Sequence, residues 1–324
     1  MEPMRRQSVV ITGAGGFAGP YLVRELLKRN FDVYAVDRHG AERAREAGAK
    51  VRAVDLSDPA QIDVLLREFH PQLAFNVVHL AGWSHVGKSW EYPVSTFEAN
   101  LVNSTSLYQA VSRIWGPRAR FLYVSSAEVY GKVKGDQLPL DEDSPVNPSS
   151  PYGMSKLMSE RTLKALHRQG GSDLVIARPF NHIGPGQSQD FALPAFARRI
   201  AAIERGEESI FRHGNLDSAR DMVDVRDLAR AYSDILVSGD PGETFVVASG
   251  QSFSMRWLVE KLFHLAGQVP RMAEDPNLRR PVDIPELRGS SERLFRRTGW
   301  SPEIPIERTL MDILADARAR HQAA

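Results

Sequence analysis

Tyr152 and Lys156 lie four positions apart in the segment PYGMSKLMSE (151–160), which has the composition of a helix. Residues four positions apart share one face of a helix, so the phenol and the ammonium group are predicted to be neighbours. A cation beside a phenol stabilises the phenolate and lowers the pKa of the hydroxyl, which would let the phenol exchange a proton during catalysis. The alternative is a surface helix whose lysine covers apolar area with its methylene chain. The pair by itself fits both interpretations.

A second pair of reactive side chains follows a predicted strand, RFLYVSS (120–126). Ser126 ends this strand, and Glu128 comes two residues later. Because an extended backbone points alternate residues to the same side, Glu128 is predicted to face the same way as Ser126. The hydroxyl could orient a carbonyl or an alcohol, and the carboxylate could act as a further acid or base. Alternatively, Glu128 is a partly buried, hydrogen-bonded carboxylate with a structural role.

The segment ITGAGGFAG (11–19) directly follows the first predicted strand and opens the first predicted helix. Gly13 allows a tight turn, Gly16 lets the backbone approach a pyrophosphate, and Gly19 lets the helix pack closely on the strand. The free N–H groups and partial positive charge of the helix N-terminus favour an anion there. A glycine motif alone would indicate only a tight turn, but this strand–loop–helix context predicts a bound dinucleotide.

The ends of the next predicted strands supply the other candidate cofactor contacts. Asp37 ends the second strand and can accept hydrogen bonds from the adenosine ribose hydroxyls, which favours NAD(H). Arg38 could instead meet a 2′-phosphate, so NADP(H) stays open. Asp55 and Leu56 could flank the adenine ring, or could be a strand terminus and a core leucine. The fourth strand ends at Leu80, Ala81 and Gly82, where small residues would let the backbone lie against the cofactor.

Short apolar runs that alternate with amphipathic stretches predict the elements that position these residues. Predicted strands cover 8–12, 31–37, 50–56, 73–82, 120–126 and 173–180. Predicted helices cover 17–30, 58–69 (with Asp58 as N-cap and Pro59 in the first turn), about 93–115, and a segment beginning near 151. Strands that alternate with helices predict right-handed βαβ units and a doubly wound parallel sheet, so the fold class is α/β.

Beyond residue 180 the pattern loosens, and Pro and Gly cluster between the elements. Helices are predicted at roughly 190–204, 225–237, 254–267 and 306–319, separated by short strands. We therefore expect a dinucleotide-binding Rossmann domain over 1–180. Residues 181–324 are expected to form mainly a smaller mixed lobe for the substrate, with some segments returning to the Rossmann sheet. A ligand is predicted where the two lobes meet at the carboxyl ends of the strands.

Composition narrows the function classes. The 324 residues are 42% hydrophobic and 25% charged, and 41 basic residues nearly balance 40 acidic ones. This balance lacks the electrostatic footprint of a nucleic-acid-binding protein. The absence of cysteine excludes disulfides and thiolate metal sites and fits a reducing compartment, and no cluster of His and carboxylates predicts a metal site. The chain shows neither a secretory signal nor a membrane span, so a cytoplasmic protein is predicted.

Taken together, the motifs resemble those of the extended short-chain dehydrogenase/reductase family, whose members act on nucleotide sugars. The resemblance covers nearly the whole chain and rests on T-G-x-x-G-F-x-G at 12–19, Y-x-x-x-K at 152–156 and ARPFNHIGPGQ at 177–187. It implies that Tyr152 exchanges the proton and that Ser126 orients the reacting group. It also implies that Lys156 binds the nicotinamide ribose, and it adds Phe17 to the cofactor loop.

Within this family, the C-terminal half is most similar to GDP-4-dehydro-6-deoxy-D-mannose reductases, which form GDP-D-rhamnose. The similar stretches are 178–187, 214–232 and 281–310. The resemblance implies NAD(P)H-dependent reduction of the C4 keto group of a GDP-sugar, with the configuration of the product at C4 left open. The alternatives are a GDP-mannose 4,6-dehydratase, another nucleotide-sugar epimerase or dehydratase, or a dinucleotide-sensing protein without catalysis. Glu128 fits a reductase or a dehydratase, although dehydratases typically differ from this chain at 183–187.

The resemblance also implies the substrate contacts and the assembly. Arg220 and Arg280 match positions that hold the diphosphate or nucleoside, a role that suits the planar fork of arginine, although either could be a solvated surface charge. Asn181 is implied to bond sugar or phosphate oxygens. Ser84 and His85 could line the sugar pocket, although a lone histidine is more often structural. Relatives pair the helices near 95–115 and 151–168 as a four-helix bundle, so a homodimer is predicted.

Overall fold

The computed structural model describes residues 7–69, 75–278 and 284–322. Its strands are β1 (Ser8–Thr12), β2 (Asp32–Asp37), β3 (Lys50–Ala53), β4 (Phe75–His79), β5 (Arg120–Val124), β6 (Asp173–Pro179), β7 (Asn181–Ile183), β8 (Phe211–His213), β9 (Ala219–Asp224), β10 (Thr244–Val247), β11 (Ser252–Ser254), β12 (Met272–Glu274) and β13 (Glu286–Leu287). Its helices are α1 (Gly19–Lys28), α2 (Glu42–Glu46), α3 (Pro59–Arg67), α4 (Val86–Glu91), α5 (Pro93–Phe97), α6 (Asn103–Trp115), α7 (Pro151–Arg168), α8 (Ala192–Glu204), α9 (Val225–Ser238), α10 (Met255–Leu265), α11 (Glu292–Thr298) and α12 (Ile306–Gln322).

The central sheet has seven strands in the order β10-β6-β5-β4-β1-β2-β3. Every neighbouring pair in it is parallel. Every residue of β1 and β4 is buried, as expected for strands covered by helices on both faces. The predicted doubly wound α/β fold is therefore confirmed.

Local sequence signals explain where helices α3 and α7 begin. The Asp58 carboxylate caps α3 by accepting hydrogen bonds from the backbone N–H groups of Ala60 and Gln61, with Pro59 in the first turn, as predicted. Ser150 caps α7, and its hydroxyl oxygen accepts a hydrogen bond from Gly153 N at 3.1 Å. This cap starts the helix so that Tyr152 lies in its first turn.

The predicted helix over about 93–115 is confirmed in its bounds, although one π-helical turn interrupts its α-helical hydrogen bonding. Tyr92 leaves the helical region with φ −128° and ψ 61°, and Pro93 then starts α5. A π-helical turn, Glu98–Val102, separates α5 from α6. The short helices α2, α4 and α11 were not predicted, because five to seven residues give too few turns for a clear apolar period.

The C-terminal half contributes to both layers of the molecule. Its own lobe contains a sheet in the order β11-β9-β13, to which β7 adds beside β9, and a separate pair of β8 with β12. Helices α8, α10 and α12 pack over this lobe around a core that includes Leu258, Leu262 and Leu310. In contrast, β10 joins the central sheet beside β6, and α9 packs against α1. Two elements after residue 180, β10 and α9, therefore belong to the layers of the central sheet.

In the part of the chain that the structure describes, no helix is long and apolar enough to cross a membrane. The same residues contain no group of three or more His, Asp or Glu side chains placed to hold a metal ion.

Candidate active site

A cavity of about 790 Å³ opens at the carboxyl ends of the central strands and extends into the C-terminal lobe. Every candidate site residue within the described ranges lines it, and these are Gly13, Gly16, Phe17, Gly19, Asp37, Arg38, Asp55, Leu56, Leu80, Ala81, Gly82, Ser84, His85, Ser126, Glu128, Tyr152, Lys156, Asn181 and Arg220. Arg280 lies outside the described residues. The sheet thus brings together side chains that are up to about two hundred positions apart in sequence, as expected at the carboxyl edge of parallel strands.

The glycine loop packs so closely that a side chain is excluded at Gly13 and at Gly19. Gly13 has φ +69°, and a Cβ built there would lie 2.6 Å from the backbone N and Cα of Ala81. A Cβ on Gly19 would collide with the backbone oxygen of Ala14. The loop therefore presents bare backbone to the cavity at the N-terminus of α1. This surface fits a dinucleotide pyrophosphate.

Asp37 is tied to the glycine loop as well as lying at the cavity. Its Oδ2 accepts a hydrogen bond from Gly15 N at 3.1 Å, and its Oδ1 accepts one from His39 N at 3.4 Å. Arg38 Nε donates a hydrogen bond to His39 Nε2 at 3.1 Å. The same corner thus offers an acceptor for ribose hydroxyls and a guanidinium group for a 2′-phosphate.

Tyr152 is buried at the cavity wall, with 7% of its surface exposed. Burial raises the pKa of its hydroxyl to about 12, a hydrogen bond with Ser126 works against this shift, and the nearby Glu128 carboxylate adds to it. The direction is opposite to the lowering that the sequence predicted from a neighbouring cation. The desolvation of a phenol in the protein interior outweighs the stabilisation of its anion. Tyr152 is therefore protonated at neutral pH.

Lys156 lies on the same helix and is directed at the end of β5. Its Nζ donates a hydrogen bond to Val124 O at 2.9 Å and lies 5.1 Å from the centre of the Tyr123 ring. Only 6% of the residue is exposed. Burial lowers the pKa of its ammonium group to about 8, and the Glu160 carboxylate opposes the shift.

The chain turns sharply after Ser126, which corrects the expectation of an extended backbone there. Residues Ala127–Val129 form a 3₁₀ turn, and Ser126 Oγ accepts a hydrogen bond from Glu128 N at 3.2 Å. Alternation along a strand therefore does not explain the position of Glu128. The turn itself carries Glu128 to the same cavity wall as Ser126 and Tyr152.

Sequence reasoning missed Asn100, which lies in the π-helical turn and is fully buried. Its side chain accepts a hydrogen bond from Trp83 N at 2.8 Å and donates to Ser155 Oγ at 2.9 Å. Its backbone oxygen accepts a hydrogen bond from Ser159 Oγ at 2.9 Å. Asn100 thus joins the segment after β4 to α7, the helix that carries Tyr152. A π-turn often marks a functional site, but the sequence signal is weak here, because both Asn100 and Asn103 stand in the stretch that was predicted to be helical.

His79, at the end of β4, is a second buried polar residue that the sequence did not single out. Its ring nitrogens lie 2.6 Å from Thr12 Oγ1 and 2.8 Å from Ser104 Oγ. Burial lowers its pKa to about 3, and the positive charge of Lys156 adds to the effect. A neutral His79 therefore links β1, β4 and α6 beneath the cavity.

The candidate substrate residues lie on separate elements around the mouth of the cavity. Asn181 begins β7 and is exposed. Arg220 lies in β9, and its Nη1 donates to Ile284 O at 2.6 Å. His85 caps α4, and its Nδ1 accepts a hydrogen bond from Lys88 N at 3.2 Å, which is a structural role in addition to its place at the cavity. Ser84 lines the cavity beside it.

The segment after β7 is fastened to the dinucleotide side of the cavity. Tyr21 Oη donates a hydrogen bond to Pro185 O at 2.7 Å, and Arg43 donates to Gly186 O at 3.0 Å. The ring of Phe17 stacks on His182 with the centroids 6.0 Å apart. The glycine loop and the substrate lobe are thus held in one fixed arrangement.

Comparison with known proteins gives concordant results. A family model described as GDP-mannose 4,6 dehydratase matches residues 10–313. The chain is 34% identical to GDP-6-deoxy-D-mannose reductase of Pseudomonas aeruginosa, with 97% of this chain and 98% of the relative covered. It is 26% identical to the GDP-mannose 4,6 dehydratase of Homo sapiens, with 95% and 91% covered. The solved structure of RMD from Pseudomonas aeruginosa complexed with NADPH superposes with a TM-score of 0.85 at 33% identity, covering 97% of this chain and 99% of that one.

Proposed function

The chain belongs to the GDP-mannose 4,6 dehydratase family, and we propose that it reduces the C4 keto group of GDP-4-dehydro-6-deoxy-D-mannose to give GDP-D-rhamnose. The observation that carries this proposal is the buried phenol of Tyr152, which is protonated at neutral pH beside Ser126. Reduction of a ketone requires an acid at the carbonyl oxygen, and this phenol supplies one. The full-length similarity to a GDP-6-deoxy-D-mannose reductase supports the reductive direction within the family.

The cofactor of this reaction is NADPH or NADH. The bare backbone around Gly13 fits the pyrophosphate, and Asp37 with Arg38 fits the adenosine ribose, with or without a 2′-phosphate. Lys156 would hold the nicotinamide ribose. When bound, the reduced nicotinamide supplies the hydride that C4 receives. The structural relative from Pseudomonas aeruginosa contains NADPH, which favours NADPH for this chain.

The protein side chains handle the proton and the developing charge. Tyr152 donates its proton to the oxygen on C4, and the hydroxyl of Ser126 orients that oxygen and hydrogen-bonds to Tyr152. The phenolate left behind is stabilised by this hydrogen bond. Lys156, whose pKa of about 8 keeps it largely protonated at neutral pH, is proposed to add its positive charge. Arg220 and Arg280 are proposed to bind the diphosphate, and Asn181, Ser84 and His85 to contact the sugar.

A second candidate function, dehydration of GDP-mannose, is favoured by one observation: the Glu128 carboxylate lines the cavity close enough to Tyr152 to raise its pKa. Water elimination needs an acid or base besides the tyrosine, and a carboxylate at this position could serve. A dehydratase returns its hydride to the same sugar and consumes no reduced cofactor. The two functions therefore differ in cofactor balance.

The test is to supply the protein with each substrate in turn. A reductase oxidises NADPH or NADH stoichiometrically with GDP-4-dehydro-6-deoxy-D-mannose and gives no keto sugar from GDP-mannose with oxidised cofactor. Glu128→Gln should slow this reduction only modestly, and the exposed Glu91→Gln serves as the control. Conversion of GDP-mannose without net cofactor consumption, abolished in Glu128→Gln, would establish the dehydratase instead.

We further propose that the enzyme is a homodimer formed through a four-helix bundle. Large apolar side chains are exposed on or beside α4, α5, the π-helical turn and α7, namely Trp90, Tyr92, Val94, Val102, Met154 and Met158. Helix α5 packs against α7, so these two helices are neighbours. Their exposed apolar side chains could therefore pair with the same side chains of a second copy. Sedimentation should show a dimer at micromolar concentration that Met158→Glu dissociates, whereas Met311→Glu, on α12, should not. A wild-type monomer would refute the proposal.

The proposed location is the cytoplasm, because the absence of cysteine from the 324 residues fits a reducing compartment and the proposed substrates are soluble nucleotides. Cell fractionation with an antibody to the protein tests this assignment. Recovery of the protein in a membrane or secreted fraction would contradict it.

A further inference from the structure

Asp221 follows Arg220 on β9 and has no role in the mechanism above. An extended backbone points neighbouring side chains to opposite faces of a sheet, so the two residues face different surroundings. Arg220 lines the cavity, whereas Asp221 is fully buried. Burial of a carboxylate is costly unless protein donors replace the hydrogen bonds of water. The donors around Asp221 therefore show what this side chain holds in place.

Both oxygens of the Asp221 carboxylate accept hydrogen bonds from segments outside β9. Oδ1 accepts from the backbone N and from the Oγ of Ser249, each at 2.7 Å. Oδ2 accepts from Gly250 N at 2.9 Å and from Gly289 N at 3.2 Å. Ser249 and Gly250 lie shortly before β11, and Gly289 lies two residues after β13. Since β11 and β13 pair with β9 on either side of Arg220, this one carboxylate fastens both of the strands that flank the arginine.

The strand β13 depends most on this fastening, because it is only two residues long. The chain just before β13 also orients the arginine, since Arg220 Nη1 donates a hydrogen bond to Ile284 O at 2.6 Å. At the other end of β13, the hydrogen bond from Gly289 N to Asp221 Oδ2 fixes the strand against β9. A strand of this length supplies few ladder hydrogen bonds of its own. The position of Ile284 O, and with it the direction of the guanidinium group, therefore depends on Asp221.

We propose that Asp221 is a positioning residue for substrate binding. It holds the strands on either side of Arg220 so that the guanidinium group faces the diphosphate in one fixed orientation. A planar guanidinium group binds phosphate through paired, directional hydrogen bonds, so the affinity depends on that orientation. Asp221 acts through Arg220 and does not itself contact the substrate. This inference rests on the proposed function, in which Arg220 binds the diphosphate.

The test measures binding of GDP by isothermal titration calorimetry, with the enzyme saturated with NADP⁺ so that GDP binds only at the substrate site. Asp221→Ala removes the acceptor of all four hydrogen bonds. The dissociation constant of GDP and the KM for GDP-4-dehydro-6-deoxy-D-mannose should rise about tenfold, because the arginine must then be ordered during binding. The kcat and the dissociation constant of NADPH should change by less than about twofold, because the lost interaction serves substrate binding alone.

Asp227→Ala is the matched control. Asp227 is also buried, and its Oδ2 accepts hydrogen bonds from Glu303 N at 3.0 Å and from Ile304 N at 2.9 Å, in a segment that does not line the cavity. Urea unfolding should show that both variants are less stable than the wild type. Only Asp221→Ala should weaken the binding of GDP, so the comparison separates positioning from a general loss of stability.

A double variant tests whether Asp221 acts through Arg220. Arg220→Met removes the guanidinium group and should by itself weaken the binding of GDP by about tenfold or more. In that background, Asp221→Ala should raise the dissociation constant of GDP by less than about twofold, because the group that it positions is gone.

If Asp221→Ala fails to fold, Asp221→Asn replaces it in both backgrounds. The amide keeps the shape of the side chain, but its NH₂ group must face either Ser249 N or the two glycine N–H groups. A rise of about threefold in the dissociation constant of GDP is expected with Arg220 present, and no rise beside Arg220→Met.

The inference is overturned if the Asp221 variant binds GDP as tightly as the wild type, if Asp227→Ala weakens GDP equally, or if the effect persists in full beside Arg220→Met. An Arg220→Met variant with wild-type affinity for GDP would also overturn it. The reductase assay fails or succeeds separately. The expected binding pattern without reduction would refute only the proposed function, and reduction with additive effects of the two variants would refute only the positioning role. A wild type that binds no GDP would refute both.

Discussion

Replacing Lys156 by Met is expected to change how the stability of the cofactor-free protein depends on pH. Burial lowers the pKa of Lys156 from its ordinary value of 10.5 to about 8. Between these two values the unfolded chain binds the proton and the folded protein does not, so wild-type stability rises with pH across this window. Below pH 8 both states are protonated, and the folded protein bears the full cost of a buried ammonium group.

The size of the effect follows from the shift. Each pKa unit corresponds to about 1.4 kcal/mol, so the difference in unfolding free energy between wild type and Lys156→Met should move by about 3 kcal/mol in favour of the wild type across the window. The lost hydrogen bond to Val124 O and the altered packing add a constant to this difference at every pH. The change with pH therefore isolates the buried charge.

Urea unfolding of the wild type, Lys156→Met and the exposed control Lys88→Met from about pH 7 to pH 10.5 measures this change. Lys88→Met should track the wild type at every pH, because Lys88 is exposed. A wild-type minus Lys156→Met difference that stays constant within about 0.5 kcal/mol would refute the reasoning, since it would mean that the folded and unfolded states titrate Lys156 alike.

Three further results are expected. Tyr152→Phe should lower turnover by about 10²–10⁴-fold, because only the proton donor is lost. Titration with NADPH, followed by fluorescence, should give an unchanged dissociation constant. Near-wild-type turnover would contradict the role of Tyr152 as the proton donor. Asp37→Ala should raise the KM for NADH more than that for NADPH, because the carboxylate accepts ribose hydroxyls and repels a 2′-phosphate; an equal change would show that Asp37 does not face the ribose. Glu160→Gln should lower the free energy of unfolding, measured with urea, by about 3–5 kcal/mol, because it leaves the buried Arg178 without its carboxylate partner. Glu25→Gln, at a more exposed ion pair, is the comparison. A decrease for Glu160→Gln no larger than that for Glu25→Gln would contradict this expectation.

The fold was predictable because its signals are local and repeated. Apolar runs of strand length alternate with amphipathic stretches, and a parallel sheet buried on both faces requires this pattern. The glycine loop and the caps at Asp58 and Ser150 are also local, so the start of each helix could be placed from a few residues. The carboxyl ends of the strands then fixed which side chains meet, and those within the described ranges do line one cavity.

The parts that could not be predicted depend on contacts between distant segments. The π-helical turn at Glu98–Val102 follows from Asn100 bonding to Trp83 and to α7, which no local pattern indicates. The 3₁₀ turn after Ser126 interrupts a strand that the composition alone would extend. The direction of the Tyr152 pKa shift was misjudged because the sequence shows the neighbouring charge but not the degree of burial.

The return of β10 and α9 to the central sheet has a consequence for how such enzymes can change specificity during evolution. In α9, Leu228, Tyr232 and Ile235 share one core with Leu22 and Leu26 of α1, and β10 pairs with the edge of β6. Exchange of everything after residue 180 in a single recombination event would also replace this core helix and edge strand. A new substrate lobe would therefore arrive with mismatched packing beneath the cofactor. We expect specificity in this lineage to diversify by point substitutions along the cavity wall, and contiguous gene exchange to survive only between close relatives.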